Sequence, residues 1–568
     1  MRPIPSKKHH WAVLVLLAVV PTNTALTFVS PRASADQANM LAEVFKQQDP
    51  ARYGHDEVFG PSGAGAPWRL RLPAWRALLG AAVWLAGPAD PVNALRLLGA
   101  ICLTAYLLAM YLLLYRETRS TSVATLVAAM STAIFSVRRP YWGMGPIFTV
   151  SPTTLYMAFV PLLVLALMRS VRRRRVVGVF FLAGLAGNID FVFAVNLVLV
   201  MLVALVALDR SRPRVWAMAA AAAAAALVGA APAVWHYYVT FRAAEGFLPT
   251  MSLSTLRPAL HLAELSILYP GVLSQALRWL PIAAGLAVPA AIILSRGGRY
   301  RATHLPEWLW LLGASLLVAL GLHGLMQLIG WRLGTAPPFI EFFDALRLAM
   351  LPLYALFAQA MIQLLRLTRT HRVWARAALG LLAAVYLGTS YNTHPLRHMV
   401  SNGITAVAGE HARSEDELAD RELRAIARWA GDDRNTPPDA MFLTPRGRTA
   451  EIRLYARRAM LASRADVRHF YYLAPSRLDD WADRLARQQE LLRPPVGPAA
   501  SPDGIAAFVD RYWQDRGIRP ADTYAIIEAS HAPPAGGRLT EIRPGGAAWG
   551  EHWRLYRVAP LAPTTGPG

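Results

Sequence analysis

The acidic residues that follow the first apolar run of the chain are the first candidates for chemistry. Asp36, Asp49 and Asp56 lie within one short polar stretch, and a carboxylate near a membrane is costly unless it is paired or used. Such a carboxylate can act as a general base that takes a proton from a hydroxyl group. Structural roles compete, because Asp36 and Ser34 both suit a helix N-cap and Asp49 precedes a proline in a turn. We predict all three aspartates as candidate catalytic residues.

His55 stands directly before two acidic residues, so three possible metal ligands are adjacent in the sequence. These are His55, Asp56 and Glu57. Three consecutive ligands rarely converge on one ion without further help. We therefore predict that His55 contacts a substrate, that no residue binds a metal, and that the protein uses no cofactor, a divalent metal included.

Basic and aromatic residues at the ends of later apolar runs are candidates for binding a phosphate group. Arg138 and Arg139 are adjacent and precede Tyr141, while His236 and Arg242 lie near the end of another apolar run. Paired guanidinium groups match the geometry of a phosphate or diphosphate. Snorkelling of the arginines to lipid headgroups would explain the same positions. We predict that these residues bind substrate.

A third set of charged residues opens a later apolar run. Glu341, Asp344 and Arg347 are spaced by three, which places them on roughly one face of a helix. Ion pairing among themselves is the simpler explanation of this spacing. Substrate binding is the alternative, and we keep it as the prediction for all three.

Composition places these residues in a membrane protein. The chain has 568 residues, of which 55% are hydrophobic and 17% charged, and its net charge is +22. The basic residues cluster between apolar runs, as the positive-inside rule expects of cytoplasmic loops, so the charge does not indicate nucleic-acid binding. The single cysteine, Cys102, excludes an internal disulfide and a cysteine metal cluster.

Apolar runs long enough to cross a bilayer recur up to about Tyr391, and the fold predicted from them is a polytopic α-helical membrane protein. About eleven spans are predicted, at 11–30, 93–115, 120–137, 152–170, 175–189, 191–209, 214–238, 277–295, 307–330, 346–366 and 374–391. Basic clusters follow every second run, which predicts a cytoplasmic N-terminus, a bacterial inner-membrane location and a periplasmic C-terminus. Residues 31–92 then form a long first periplasmic loop, with 73–85 lying on the membrane surface. Residues 33–35 resemble a signal-peptidase site, but we favour an uncleaved first helix.

The composition changes after the last predicted span. Helices are predicted at 414–430, 451–457, 478–492 and 505–516, and strands at 440–444, 459–462, 524–528, 539–542 and 553–558. Alternation of this kind is typical of a small α/β domain. The predicted organisation is a transmembrane domain over 1–398, a linker over 399–412 and a periplasmic α/β domain over 413–568 that rests on the first loop.

Several common motifs are absent from the sequence. It has no H-E-x-x-H, no G-x-S-x-G and no Walker motif. Zinc or serine hydrolysis and ATP-driven transport therefore lose support.

The architecture and four short segments resemble the GT-C class of membrane glycosyltransferases. The segments are QDPARY at 48–53, FDALR at 343–347, TPPDAMFLTP at 436–445 and RLYARR at 453–458. The chain is most similar to an uncharacterised bacterial family of GT-C-like membrane proteins defined by a domain of unknown function.

This resemblance implies an activity and partners. GT-C enzymes transfer a sugar from a polyprenyl phosphate or diphosphate carrier to a glycan, lipid or protein acceptor at the outer face, with an acidic residue of the first outer loop as the base. The best-matching position is Asp36, with Asp49 and Asp56 as rivals, and arginines such as Arg347 would hold the carrier phosphate. The implied partners are membrane lipids, the polyprenyl-linked sugar and the acceptor, with no nucleic acid.

Two other function classes stay open. A lipid or sugar transporter or flippase could share the scaffold, and would need polar residues deep in several spans. A non-catalytic GT-C-like protein, whose tail binds a glycan or a partner, is the third hypothesis, since Asp36 is followed by Gln37 and Ala38 where many GT-C enzymes carry a second acidic residue.

Overall fold

The structure is a computed structural model. It describes residues 9–18, 34–87, 90–133, 150–170, 175–209, 213–244, 269–296, 304–334, 341–367, scattered positions between 373 and 388, and then 415–445, 450–492, 501–517, 521–533, 536–544 and 548–559. Arg138, Arg139, Tyr141 and the predicted linker at 399–412 lie outside the described residues.

Helices dominate the first two thirds of the chain. They are α1 (His9–Ala18), α2 (Ala35–Gln48), α3 (Pro73–Ala86), α4 (Val92–Thr118), α5 (Thr121–Met130), α6 (Pro152–Met157), α7 (Val160–Ser170), α8 (Val176–Ala186), α9 (Phe191–Asp209), α10 (Val215–Gly229), α11 (Ala231–Ala243), α12 (Tyr269–Arg296), α13 (Leu305–Leu333) and α14 (Leu346–Leu367). Their apolar side chains form one continuous buried core.

Within the described residues, four helices are long and apolar enough to cross a membrane. They are α4, α9, α13 and the segment Phe342–Arg366 at α14, and a fifth candidate is the pair α10 and α11, which is bent by 64°. Several long apolar helices therefore make this a membrane protein, but the prediction of eleven spans is not supported.

The shortfall has a physical reason. The run at 152–170 is split into two helices, and α5 and α8 have only 10 and 11 residues. At 1.5 Å per residue, a helix of 11 residues covers roughly half of a hydrocarbon layer about 30 Å thick. Apolar composition shows that a segment avoids water, but it does not show that the segment is one straight helix.

Two helices of the first loop lie beside the bundle. Ser34 caps α2 in a capping box with Gln37, as the sequence suggested for Ser34. Helix α3 packs on α2 and α4 through buried residues such as Trp75 and leaves Trp84 exposed. We call residues 34–87 the loop segment.

The tail, residues 415–559, holds the mixed sheet. Its strands are β1 (Met441–Leu443), β2 (Ala459–Met460), β3 (Thr523–Glu528), β4 (Leu539–Glu541) and β5 (Trp553–Val558). Their order is β2-β1-β3-β5-β4, with β1 parallel to β2 and β3, and β5 antiparallel to β3 and β4. All five strands lie where the sequence predicted them, within one or two residues at each end.

Four helices cover this sheet. They are α15 (Glu415–Ala430), α16 (Val467–Leu473), α17 (Leu478–Leu492) and α18 (Pro502–Arg516). Helix α15 and one face of the sheet form a separate core around Leu423, Phe442 and Ile526. The other face joins the core that continues into the bundle, so the tail packs directly on the rest of the protein. The helix predicted at 451–457 is a π-helical turn at Ile452–Ala456.

Candidate functional site

A buried arginine of the tail ties it to the loop segment. The Arg453 network consists of Asn39, Asp56, Arg453 and Asp466. Arg453 donates from Nη2 to Asp56 Oδ2 at 3.1 Å and to Asp466 Oδ2 at 2.8 Å, and from Nη1 to Asn39 and Asp466. Arg453 and Asp56 are each 1% exposed, and the two carboxylates raise the pKa of Arg453 against the opposing effect of burial.

Asp56 has both carboxylate oxygens occupied in this network. Oδ1 accepts from the backbone N–H groups of Val58 and Phe59, at 2.9 and 3.1 Å. Oδ2 accepts from Arg453 and from the backbone N–H of Met460, each at 3.1 Å. A carboxylate that accepts from four donors has no accessible lone pair for a substrate proton. The geometry makes Asp56 an anchor for the tail.

A second buried carboxylate in the loop segment is bonded very differently. Glu43 on α2 is fully buried; its Oε1 accepts from Arg71, and its Oε2 is buried without a hydrogen-bond partner among the residues that the structure describes. His469 on α16 of the tail faces it, with 3.6 Å between His469 Nε2 and Glu43 Oε1. Neither ring nitrogen of His469 has a hydrogen bond. An unbonded buried carboxylate oxygen is rare and calls for a functional explanation.

Positive charge surrounds Glu43. The Glu43 carboxylate interacts electrostatically with Arg76 and His236. The positive charge of Arg69 acts on the same two residues. His236 on α11 is held by the backbone carbonyl of Arg69, 2.9 Å from its Nε2. We call Glu43, Arg69, Arg71, Arg76, His236 and His469 the Glu43 cluster. A carboxylate with a free lone pair amid guanidinium groups can take a proton and can stay next to an anionic substrate.

The Glu43 cluster continues towards the bundle. Tyr237 lies within electrostatic range of both Glu43 and Asp190, and Asp190 in turn interacts with Arg347. Arg347 lines a cavity with Tyr106, Met157 and Tyr354, and its Nε is buried without a hydrogen-bond partner. A line of polar groups therefore leads from the loop segment to a guanidinium inside the bundle.

The aspartates predicted to be catalytic occupy different settings. Asp36 is exposed in the first turn of α2. Asp49 follows the last residue of α2 and accepts from Arg52 Nε at 2.9 Å and from the backbone N–H of Ala51 at 3.2 Å. These hydrogen bonds form the Asp-Pro turn that was the structural alternative to a catalytic role. Neither aspartate belongs to the Glu43 cluster.

Two of the predicted binding residues point away from the cluster. His55 lies 3.5 Å from Asp439 of the tail and edge-on to Trp513. Arg242 donates to the Tyr238 hydroxyl at 2.9 Å, one turn back on α11. Of the residues predicted in this region, His236 alone joins the cluster.

A short 3-10 helix, Phe342–Ala345, contains Asp344 and separates Glu341 from Arg347. Asn196 donates to the backbone carbonyl of Glu341 at 3.2 Å, and the Glu341 charge reaches Tyr471 on α16 of the tail. Glu341 and Asp344 each have an interaction partner, and Arg347 lies in the first turn of α14. Ion pairing within this set and substrate binding both stay predictions.

Glu43 and His469 were missed by reasoning from the sequence. The available signal was a charged residue inside the apolar run 40–45 of α2, between Ala42 and Val44. His469 carried no such signal, because only tertiary packing brings it next to Glu43.

One group of residues has the spacing of metal ligands: Glu422, Glu551 and His552. Glu422 Oε2 already accepts from the backbone N–H groups of Gly550, His552 and Trp553, at 3.0–3.1 Å, and its Oε1 lies 3.0 Å from His552 Nδ1. These donors occupy the Glu422 lone pairs that a metal ion would need. The hydrogen bonds to Glu422 instead hold the turn before β5 against α15.

Comparison with protein families gives one match, and it lies in the tail. Residues 421–487 match a domain of unknown function, DUF6798. The match runs from α15 through most of α17 and includes Arg453, Asp466 and His469, as well as two of the four segments that carried the resemblance. No curated protein matches the chain. The match covers too little of the chain to assign it to a family.

Proposed function

We propose that the protein is a membrane glycosyltransferase that transfers a sugar from a polyprenyl-phosphate-linked donor to an acceptor at the outer face of a bacterial inner membrane. The loop segment and the tail would then lie on the periplasmic side. The observation that carries the proposal is the Glu43 carboxylate, with one oxygen free of hydrogen bonds and arginines around it.

In this proposal Glu43 replaces the three aspartates as the base. Its Oε2 takes the proton of the acceptor hydroxyl while the acceptor oxygen bonds to the anomeric carbon of the donor. The bond between that carbon and the phosphate oxygen breaks, and the carrier leaves as a phosphate anion. Guanidinium groups stabilise this developing charge, and Arg347 in its cavity suits the phosphate.

The tail takes part in this site through α16. Glu43 is fully buried beneath His469, so in this proposal the His469 side chain must turn aside before an acceptor hydroxyl reaches Glu43. In this proposal His469 keeps the carboxylate away from water between reactions.

The test measures release of polyprenyl phosphate by purified protein in nanodiscs, with a panel of polyprenyl-phosphate-linked hexoses and pentoses. Glu43→Gln keeps the shape and removes the base, and we expect its rate to fall about 100-fold or more. Asp36→Asn and Asp49→Asn are matched controls on the same helix and should keep most of the activity. Sugar transfer that survives Glu43→Gln overturns the assignment of the base, and no transfer from any donor overturns the proposed function.

One observation favours a transporter or flippase instead. Glu117, near the end of α4, is buried and accepts from Trp308 Nε1 at 3.1 Å and from Gln359 Nε2 at 3.3 Å, with His304 Nδ1 at 3.2 Å. A buried acidic residue inside a helical bundle is a common feature of transport pathways. Uptake of labelled lipid or sugar into proteoliposomes, abolished by Glu117→Gln and without covalent transfer, would favour this function over the first.

A further inference from the structure

Three arginines of the tail converge on one carboxylate of the loop segment. Arg484 Nη2 on α17 lies 2.6 Å from Glu57 Oε2. Arg477 Nη2 and Arg516 Nη1 lie 3.3 and 3.6 Å from Glu57 Oε1. The carboxylate is 6% exposed, whereas the three arginine side chains are 37%, 23% and 24% exposed for Arg477, Arg484 and Arg516. We call these four residues the Glu57 triad site.

The charges in this site do not balance. One carboxylate offsets one of three guanidinium groups, and in the described part of the chain no other carboxylate pairs with the three arginines. Like charges this close repel each other. The excess of two positive charges lies at the open end of the site, since the arginines are far more exposed than Glu57.

The guanidinium groups also keep unused hydrogen-bond donors. Arg484 Nε is buried without a hydrogen-bond partner among the described residues, and the more exposed Arg477 contacts Glu57 through Nη2. Arg516 is the best held, because its Nη1 also donates to the carbonyl of His55 at 3.2 Å and to the Tyr512 hydroxyl. The donors left over point to a second, external acceptor.

We infer that the Glu57 triad site binds a phosphate-type oxyanion of at least two negative charges, at the seam between the loop segment and the tail. Fixed guanidinium forks bind phosphate oxygens in pairs, and a doubly charged anion neutralises the excess charge. The site is separate from the Glu43 cluster, so it does not depend on the proposed activity.

Such an oxyanion could come from a soluble phosphate or from a lipid headgroup, and two arms of one experiment separate the sources. In the first, inorganic pyrophosphate is titrated into the full chain in zwitterionic detergent and followed by calorimetry. In the second, native mass spectrometry counts phosphatidic acid, whose phosphomonoester headgroup can carry two negative charges, retained by the full chain released from nanodiscs. Saturable binding in the first arm identifies a soluble anion, and retention of lipid in the second arm alone identifies a headgroup.

Variants decide whether the site is the one proposed. Arg477→Gln, at the most exposed arginine, should weaken binding about tenfold, the usual worth of one charge-assisted hydrogen bond. Arg487→Gln is the matched control, because Arg487 is exposed on α17 and pairs with Glu490. Glu57→Gln removes the internal anion and should tighten binding, an outcome that a purely structural site would not give. Equal affinities for Arg477→Gln and Arg487→Gln, or no saturable binding in either arm, overturn the inference.

Discussion

The Arg453 network and the Glu43 cluster are two buried charged groups of the same loop segment, and both face the same tail. In the first, the Asp56 carboxylate has a donor on each side of each oxygen. In the second, Glu43 keeps one oxygen without a hydrogen bond and faces a histidine that has none. Each group is built around a buried carboxylate, and the hydrogen bonds to that carboxylate differ.

This difference separates a structural role from a chemical one. A buried anion whose lone pairs are all bonded stabilises the contact between two parts of the chain and has nothing left for a substrate. An anion with a free oxygen lowers stability where it stands and is kept where it can react. Substitutions in the Arg453 network should therefore mainly lower the free energy of unfolding. Substitutions in the Glu43 cluster should mainly lower the rate of sugar transfer.

The largest effect is expected for Arg453→Met. It leaves Asp56 and Asp466 buried without their cation, and breaking a buried ion pair in this way costs about 3–5 kcal/mol. The tail should detach, which tryptophan fluorescence during urea unfolding and limited proteolysis would both detect. Arg421→Met, at an exposed position of α15, controls for loss of charge, and equal stability of the two variants would contradict the role of the network.

The next largest effect is the difference in stability between Asp56→Asn and Glu43→Gln. An asparagine at 56 places an N–H group against existing N–H donors, and should cost about 2–3 kcal/mol. Glu43→Gln loses part of one ion pair and should cost roughly half as much in stability, while its effect on sugar transfer is the larger. Thermal unfolding of both variants in one detergent measures this. If Glu43→Gln were the less stable of the two variants, the number of hydrogen bonds to a buried carboxylate would not distinguish a structural role from a catalytic one.

Glu422 extends the comparison to an anion inside the tail that is fully bonded. Burial acts to raise its pKa, but His552 and three backbone N–H groups hold the pKa of Glu422 below the usual 4.5. The ionised Glu422 side chain stabilises the folded tail fully above its unfolded-state pKa, and this stabilisation is lost as the pH falls through the pKa of the folded state. The unfolding midpoint of the tail should therefore drop with pH below about 4.5. Glu422→Gln should flatten this slope, and an unchanged slope would argue against it.

The smallest effect is expected at Asp36. It is exposed in the first turn of α2, so Asp36→Asn should leave the unfolding midpoint unchanged and alter sugar transfer less than about twofold. Ser34→Ala, which removes the N-cap bond of the same helix, should cost about 1 kcal/mol. A large loss of transfer in Asp36→Asn alone would return Asp36 to the place of the base.

Local patterns predicted local structure well. The strands of the tail and helices α4, α9 and α14 lie close to their predicted bounds, because side-chain periodicity and turn residues act over a few neighbours. The same patterns overestimated the spans, since the breaks after α6 and between α10 and α11 arise where helices pack and bend.

The sequence by itself determined the class of the protein: long apolar helices followed by a polar tail of alternating helices and strands. It also determined that the first loop is rich in carboxylates. Only the tertiary structure decided which carboxylate keeps a free oxygen, since Arg453 contacts Asp56 and His469 contacts Glu43 from some four hundred residues away in the chain. Local propensity acts between neighbours, whereas the bonding of a buried charge depends on every element that packs around it.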